Sequence, residues 1–106
     1  MTRALAGLAT AAFALVAMVT APHAVASPDD DFLKALAAGG ISIPAKMSPQ
    51  VIQGGHQVCD AWGSGASYTD TVAGVVSASG GTQRLAGTFV RAATNSFCPN
   101  YASKLP

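Results

Sequence analysis

Residues 48–65 read SPQVIQGGHQVCDAWGSG. The opening Ser-Pro pair is typical of a helix N-terminus, with Ser48 predicted as the N-cap and Pro49 as the first helical residue. Gly63-Ser64-Gly65 provides a stop signal. Between them, apolar and small residues recur every three or four positions, which is the spacing of one helix face. The segment therefore predicts a helix to about Trp62 that buries Val51, Ile52, Gly55, Cys59 and Trp62.

Three further segments carry helix start and stop signals. Pro28 and the acidic run Asp29–Asp31 suit a first helical turn, and Gly39-Gly40 suits its end. The third helix is capped by Ser67 and stopped by Gly80-Gly81; the fourth opens at Thr82 and stops before Pro99. The connector 41–47 is expected to place its isoleucines under the core. No segment shows sustained strand-like alternation, although Val72 to Val76 alone is ambiguous between helix and strand. We therefore predict an all-α fold of about four short helices.

The first 26 residues have the organisation of a secretory signal peptide. Arg3 is followed by an uncharged, Ala-rich run from Ala4 to Ala21 and then by an A-x-A motif that ends at Ala26. A retained membrane anchor is the alternative, but the run is poor in the larger aliphatic residues and a cleavage motif follows it directly. The sequence thus predicts Sec-type export with cleavage between Ala26 and Ser27, which leaves one small domain over residues 27–106. The predicted location is extracellular or in the cell envelope.

Two cysteines, Cys59 and Cys98, remain in the predicted domain. A hydrophobic core of this size supplies only a few kcal/mol of stability, and small exported domains commonly add a covalent link. In an oxidising compartment these two residues are expected to form a disulfide bond. Closing the loop between them is expected to stabilise the fold by on the order of 4 kcal/mol.

Charge in the predicted domain is balanced and scattered. Once Arg3 is removed with the leader, basic and acidic side chains are equal in number. Nucleic-acid binding needs a basic stripe that neutralises phosphates, and an anionic membrane surface needs a basic cluster. Neither partner is expected.

Three patterns in order resemble one known family. They are Asp29-x-x-Phe32-Leu33-x-x-Leu36 before Gly40-Ile41, Val58-Cys59 before Gly63, and Phe89-x-x-x-Ala93-x-x-x-Phe97-Cys98-Pro99. Behind a signal peptide, they resemble the small exported mycobacterial proteins grouped as domain of unknown function 732. The resemblance covers nearly all of the predicted domain. It implies export, a small helical domain and a Cys59–Cys98 bridge, and it implies no activity.

The stretch around His56 raises the question of catalysis or metal binding. A nucleophilic Cys-His pair needs a free thiolate, and a redox site favours C-x-x-C spacing, which is absent. A zinc site needs more ligands than one histidine, since the cysteines are expected to be paired. His56 is therefore expected to be a partly exposed or backbone-bonded helix residue. Asp29–Asp31 is assigned to the helix dipole and not to a calcium or carboxylate site. We predict no metal, no cofactor and no enzymatic activity.

Two aromatic residues are the candidates for recognition. Trp62 ends the apolar face of the second helix and is expected to pack in the core against the disulfide, with contact to a ligand or partner as the alternative; Tyr68 is a second possible contact. The sequence thus favours a non-catalytic protein that binds an unidentified protein or envelope component. The alternative is a carrier of a small apolar ligand near Trp62, Phe89 and Phe97, although so small a chain leaves little volume for one. The sequence identifies neither the partner nor the oligomeric state.

Overall fold

A computed structural model describes residues 27–106 of the chain. The predicted leader and its last residue, Ala26, lie outside this range, so cleavage there stays a prediction. Four α-helices and two short 3₁₀-helices make up the described part, which contains no strand: α1 Pro28–Ala38, the first 3₁₀-helix Ala45–Met47, α2 Ser48–Gly63, α3 Tyr68–Ser79, α4 Gln83–Phe97 and the second 3₁₀-helix Pro99–Lys104. The predicted all-α fold is confirmed.

Side-chain caps begin three of the four α-helices. Ser27 accepts a hydrogen bond from the Asp30 amide, and Ser67 accepts one from the Asp70 amide. Thr82 begins α4 in the same way, by accepting from the amide of Leu85. Each bond satisfies a donor that has no partner within its own helix, which is why these short polar residues are favoured at the position.

The beginning of α2 differs from the prediction. Ser48 is not an N-cap: its backbone is helical, with φ −54° and ψ −45°, and no side chain caps the helix. The chain instead enters α2 directly from the first 3₁₀-helix, whose turn is closed by a hydrogen bond from the Met47 amide to the Pro44 carbonyl. A preceding helical turn places Ser48 inside the helix, where its hydroxyl has no capping role.

Helix α4 is the centre of the domain, since it packs against α1, α2, α3 and the second 3₁₀-helix. Its buried residues are small, which lets neighbouring helices approach it closely: Ala86, Gly87, Val90, Ala92, Ala93 and Thr94. The larger core side chains come from the helices around it: Phe32 and Leu36 of α1, Val58 and Trp62 of α2, and Val72 of α3.

Gly55 allows α1, α2 and α4 to meet at one point. A Cβ atom added there would lie 2.7 Å from Cε2 of Phe97 and 2.9 Å from Cζ of Phe32. Glycine within a helix costs about 1 kcal/mol relative to alanine. Here the cost is offset by the contact between the three helices.

The chain after α4 folds back onto the core. Tyr101 in the second 3₁₀-helix lies over Trp62, with 6.4 Å between ring centroids and 25° between ring planes. Within residues 27–106, no helix combines the length and the apolar character needed to cross a bilayer.

Candidate functional site

The two cysteines are joined as predicted. Sγ of Cys59 lies 2.07 Å from Sγ of Cys98, across a sequence separation of 39 residues. Cys59 is half-buried on α2 and Cys98 is buried just after α4. The disulfide bond therefore connects α2 with the end of the central helix, α4. With its sulfur in this bond, Cys59 has no thiolate to offer as a nucleophile.

His56 lies one helical turn before Cys59 and is partly exposed, as predicted. Its ring stacks on Phe97 with 4.1 Å between centroids, and its Nε2 lies 4.0 Å from Oδ1 of Asp29. Both side chains of this pair are more than half exposed, so the pair contributes little to stability. The stack on Phe97 was not predicted. It gives His56 a packing role over the junction of α1, α2 and α4.

Trp62 is a core residue. It is 2 % exposed, and its indole Nε1 donates a hydrogen bond of 2.9 Å to Oγ1 of Thr94 on α4. Thr94 is fully buried, and its hydroxyl donates in turn to the carbonyl oxygen of Val90 at 2.7 Å. Core packing of Trp62 is thus confirmed. Its alternative role as a ligand or partner contact stays a prediction, which the 2 % exposure of the residue does not favour.

Replacing Thr94 with valine is expected to lower the free energy of unfolding by about 1–3 kcal/mol, because the buried indole N–H of Trp62 loses its acceptor. Urea unfolding followed by tryptophan fluorescence measures the change. Thr88→Val is the matched control: Thr88 also donates to a carbonyl of its own helix, at 3.2 Å, but accepts no bond from an indole. Equal losses in the two variants would show that the indole bond contributes nothing.

Tyr68 begins α3 and is half-buried against α4. A Cβ atom added to Gly87 would lie only 2.9 Å from the hydroxyl oxygen of Tyr68. The absence of a side chain at Gly87 therefore leaves room for the end of the tyrosine ring. The adjoining surface is a shallow, mixed-polarity depression that includes Thr69 and Arg84. A recognition role for Tyr68 stays a prediction.

An apolar groove of about 720 Å³ lies on the surface of the domain. It is half open to solvent and lies between the 41–47 connector, α2, α3 and the first half of α4. Its apolar walls come from all four of these segments: Ile41, Ile43, Val51, Val58, Val75, Leu85 and Phe89. The isoleucines predicted to lie under the core are half-buried and form one side of this groove. Of the aromatic residues predicted around an apolar ligand, Phe89 lines the groove, whereas Trp62 and Phe97 do not.

Few polar groups face the groove. The hydroxyls of Thr71 and Ser79 donate to backbone carbonyls of Ser67 and Val75, both at 2.8 Å. Gln50 and Gln57 of α2 are exposed along one wall. Among residues 27–106, Asp70 is the sole charged side chain that lines the groove. A mostly apolar cleft with a few polar groups is the usual form of a small-molecule site, and volumes of about 300–1,000 Å³ are typical.

Gly74 widens the groove at the middle of α3. A Cβ added there would meet no atom within 4 Å, in contrast with the crowded surroundings of Gly55. Packing inside the domain therefore gives no reason for a glycine that costs about 1 kcal/mol relative to alanine. Its effect is on the groove, because even a methyl group at this position would reduce the open space.

The acidic side chains do not gather into a metal site. Over the part of the chain that the structure describes, no three histidine, cysteine or acidic residues converge. Asp29, Asp30 and Asp31 lie in the first turn of α1, where their charge complements the helix dipole as predicted.

The fold and the groove define the class of this protein as a small, all-α, disulfide-bonded domain with an open apolar cleft. The family described as protein of unknown function (DUF732) matches residues 28–100, and the chain belongs to this family. It is similar to the uncharacterised proteins Mb1323c of Mycobacterium bovis and MT1330 of Mycobacterium tuberculosis. It is 34 % identical to each over 103 residues, which cover 97 % of this chain and 86 % of each relative. No solved structure matches the chain.

Proposed function

We propose that this protein is an exported, non-catalytic binding protein of the cell envelope or extracellular space, and that its ligand occupies the apolar groove. The groove itself is the observation that carries the proposal. Its half-buried aliphatic side chains and Phe89 are already held by the core, so a ligand can remove their remaining apolar surface from water. Removing apolar surface from water contributes about 25 cal/mol per Å² before the costs of association.

Of the two predicted forms of this function, the groove favours the carrier of a small apolar ligand over the protein-binding form. A volume of about 720 Å³ lies within the range of small-molecule pockets. A standard protein interface needs about 800 Å² on each partner, with large anchor residues at its centre. Around this groove, Met47 is the one large apolar residue of the described chain that is strongly exposed, at 40 %.

Filling the groove from α3 is expected to abolish binding without harming the fold. Gly74→Leu and Ala78→Leu add side chains one helical turn apart along the groove, and leucine is a better helix former than glycine. The probe is N-phenyl-1-naphthylamine, an uncharged dye whose fluorescence rises in apolar surroundings. We expect each variant to raise the dissociation constant of the dye at least tenfold, and Gly74→Leu to leave the Tm unchanged or higher.

Ala73→Leu is the matched control, since Ala73 is exposed on the same helix but does not line the groove. It should leave dye binding unchanged. Equal dye binding by the three variants and the unaltered protein would show that the dye binds outside the groove. If the unaltered protein bound no dye, the groove would not be a binding site for apolar ligands. Either outcome overturns the proposal.

A further inference from the structure

We propose that the ligand of the apolar groove is a single-chain amphiphile whose polar end is cationic or neutral, with that end beside Asp70. This inference rests on the proposed function and adds the chemistry of the ligand to it. It follows from three features of the groove: its length along α3, its apolar walls and the position of its one charge.

The groove is elongated. Its lining on α3 runs from Asp70 through Gly74 to Ala78, which lie on one face of the helix. At 1.5 Å per residue, this lining extends for about 12 Å along the helix axis. At the liquid-water share of about 30 Å³ per non-hydrogen atom, the volume holds on the order of twenty such atoms. The volume is therefore sufficient for one hydrocarbon chain that lies along α3.

Charge is confined to one end of this cleft. Asp70 lies in the first turn of α3, next to the α2–α3 turn, where Ala66 also lines the groove. Among the described residues its carboxylate forms no ion pair or side-chain hydrogen bond, although its amide donates to Ser67. Toward the other end, the hydroxyl of Ser79 donates to the Val75 carbonyl and accepts from the Gly81 amide. A ligand with one polar end and an apolar body matches this distribution.

The sign of the charge sets the kind of polar end. No lysine or arginine of the described chain lines the groove, so an anionic head group would have no counter-charge there and would face the Asp70 carboxylate. The same carboxylate attracts a cationic head group and so raises its affinity, whereas it has little effect on the affinity of a neutral head group. The expected order of affinity at equal chain length is therefore cationic, neutral and then anionic.

Displacement of bound N-phenyl-1-naphthylamine from the purified protein tests this order. The competitors are dodecyltrimethylammonium, dodecanol and dodecanoate, each below the concentration at which it aggregates. We expect dodecyltrimethylammonium to bind about 1.5-fold to fivefold more tightly than dodecanoate at low salt, which is the range of exposed charge pairs. Added salt should reduce the ratio, because both the carboxylate and the head group are accessible to solvent.

In the Asp70→Asn variant, dodecyltrimethylammonium and dodecanoate should bind with nearly equal affinity. Asp60→Asn is the matched control: it removes the same charge from an exposed position of α2 that does not line the groove, so it should leave the ratio unchanged. Equal displacement by all three compounds, or equal effects of the two Asn variants, would overturn the amphiphile proposal while groove binding survived. Displacement that is insensitive to Gly74→Leu would overturn both proposals.

A second copy of the chain is the remaining occupant to test. Dye binding that weakens as protein concentration rises, together with a doubled mass by light scattering, would assign the groove to self-association and overturn the amphiphile proposal. A monomer mass at the concentrations used for displacement supports it.

Discussion

Replacing both cysteines, as Cys59→Ala with Cys98→Ala, is expected to lower the free energy of unfolding by about 4 kcal/mol. The bond closes a loop across a sequence separation of 39 residues and joins α2 to the end of α4. Without it, the unfolded chain gains the conformational freedom that the bond removes. A loss of this size is a large part of the roughly 5–15 kcal/mol by which domains are stable. Cys98 is buried, so its replacement also removes packing.

Urea unfolding with and without a reducing agent measures this effect. The reducing agent should destabilise the unaltered protein by a similar amount and leave the double variant unaffected, which separates loss of the covalent bond from loss of side-chain volume. A double variant that loses less than about 1 kcal/mol would show that the bond is not a main source of stability.

Phe32→Ala is the second large effect, with an expected loss of about 3–5 kcal/mol. Phe32 is fully buried and is the aromatic residue through which α1 joins the core. Its ring meets Phe89 edge to face at 5.3 Å and Phe97 at 4.9 Å, and its edge lies over Gly55. The cavity left by alanine would open where three helices meet, and Gly55 has no side chain that could fill it.

Leu33→Ala on the same helix is the comparison, because Leu33 is only half-buried. It should cost clearly less than Phe32→Ala in the same urea experiment. Similar costs for the two positions would mean that α1 is held by general apolar contact and not by the cluster around Phe32.

Features decided by neighbouring residues could be predicted from the sequence. Ser67 and Thr82 cap their helices, and Gly80 ends α3 with φ +72°, because these signals act within a few residues of the helix end. The error at Ser48 shows the limit of such reasoning. A Ser-Pro pair has the same local preference whether coil or a 3₁₀ turn precedes it, and here the 3₁₀ turn was not predicted.

The site depends on contacts between distant residues, and these could not be predicted. The partner of Trp62 is Thr94, 32 positions away, and nothing near Trp62 identifies it. The groove arises because short side chains on α2 and α3 leave space between helices whose relative position only the packing decides. One signal was available in the sequence: Gly74 lies inside the predicted third helix without marking its end.

The position of α4 after the three helices against which it packs has a consequence for the order in which the domain can form. Phe32, Leu36 and Trp62 lie against a helix that starts only at Gln83. A chain that leaves the ribosome N-terminus first therefore has no partner for these side chains until α4 has emerged. Until then the three earlier helices are short segments, which are marginal alone in water. The core of the domain can therefore form only after α4 has been synthesised, and folding of the three earlier helices is coupled to the arrival of the fourth.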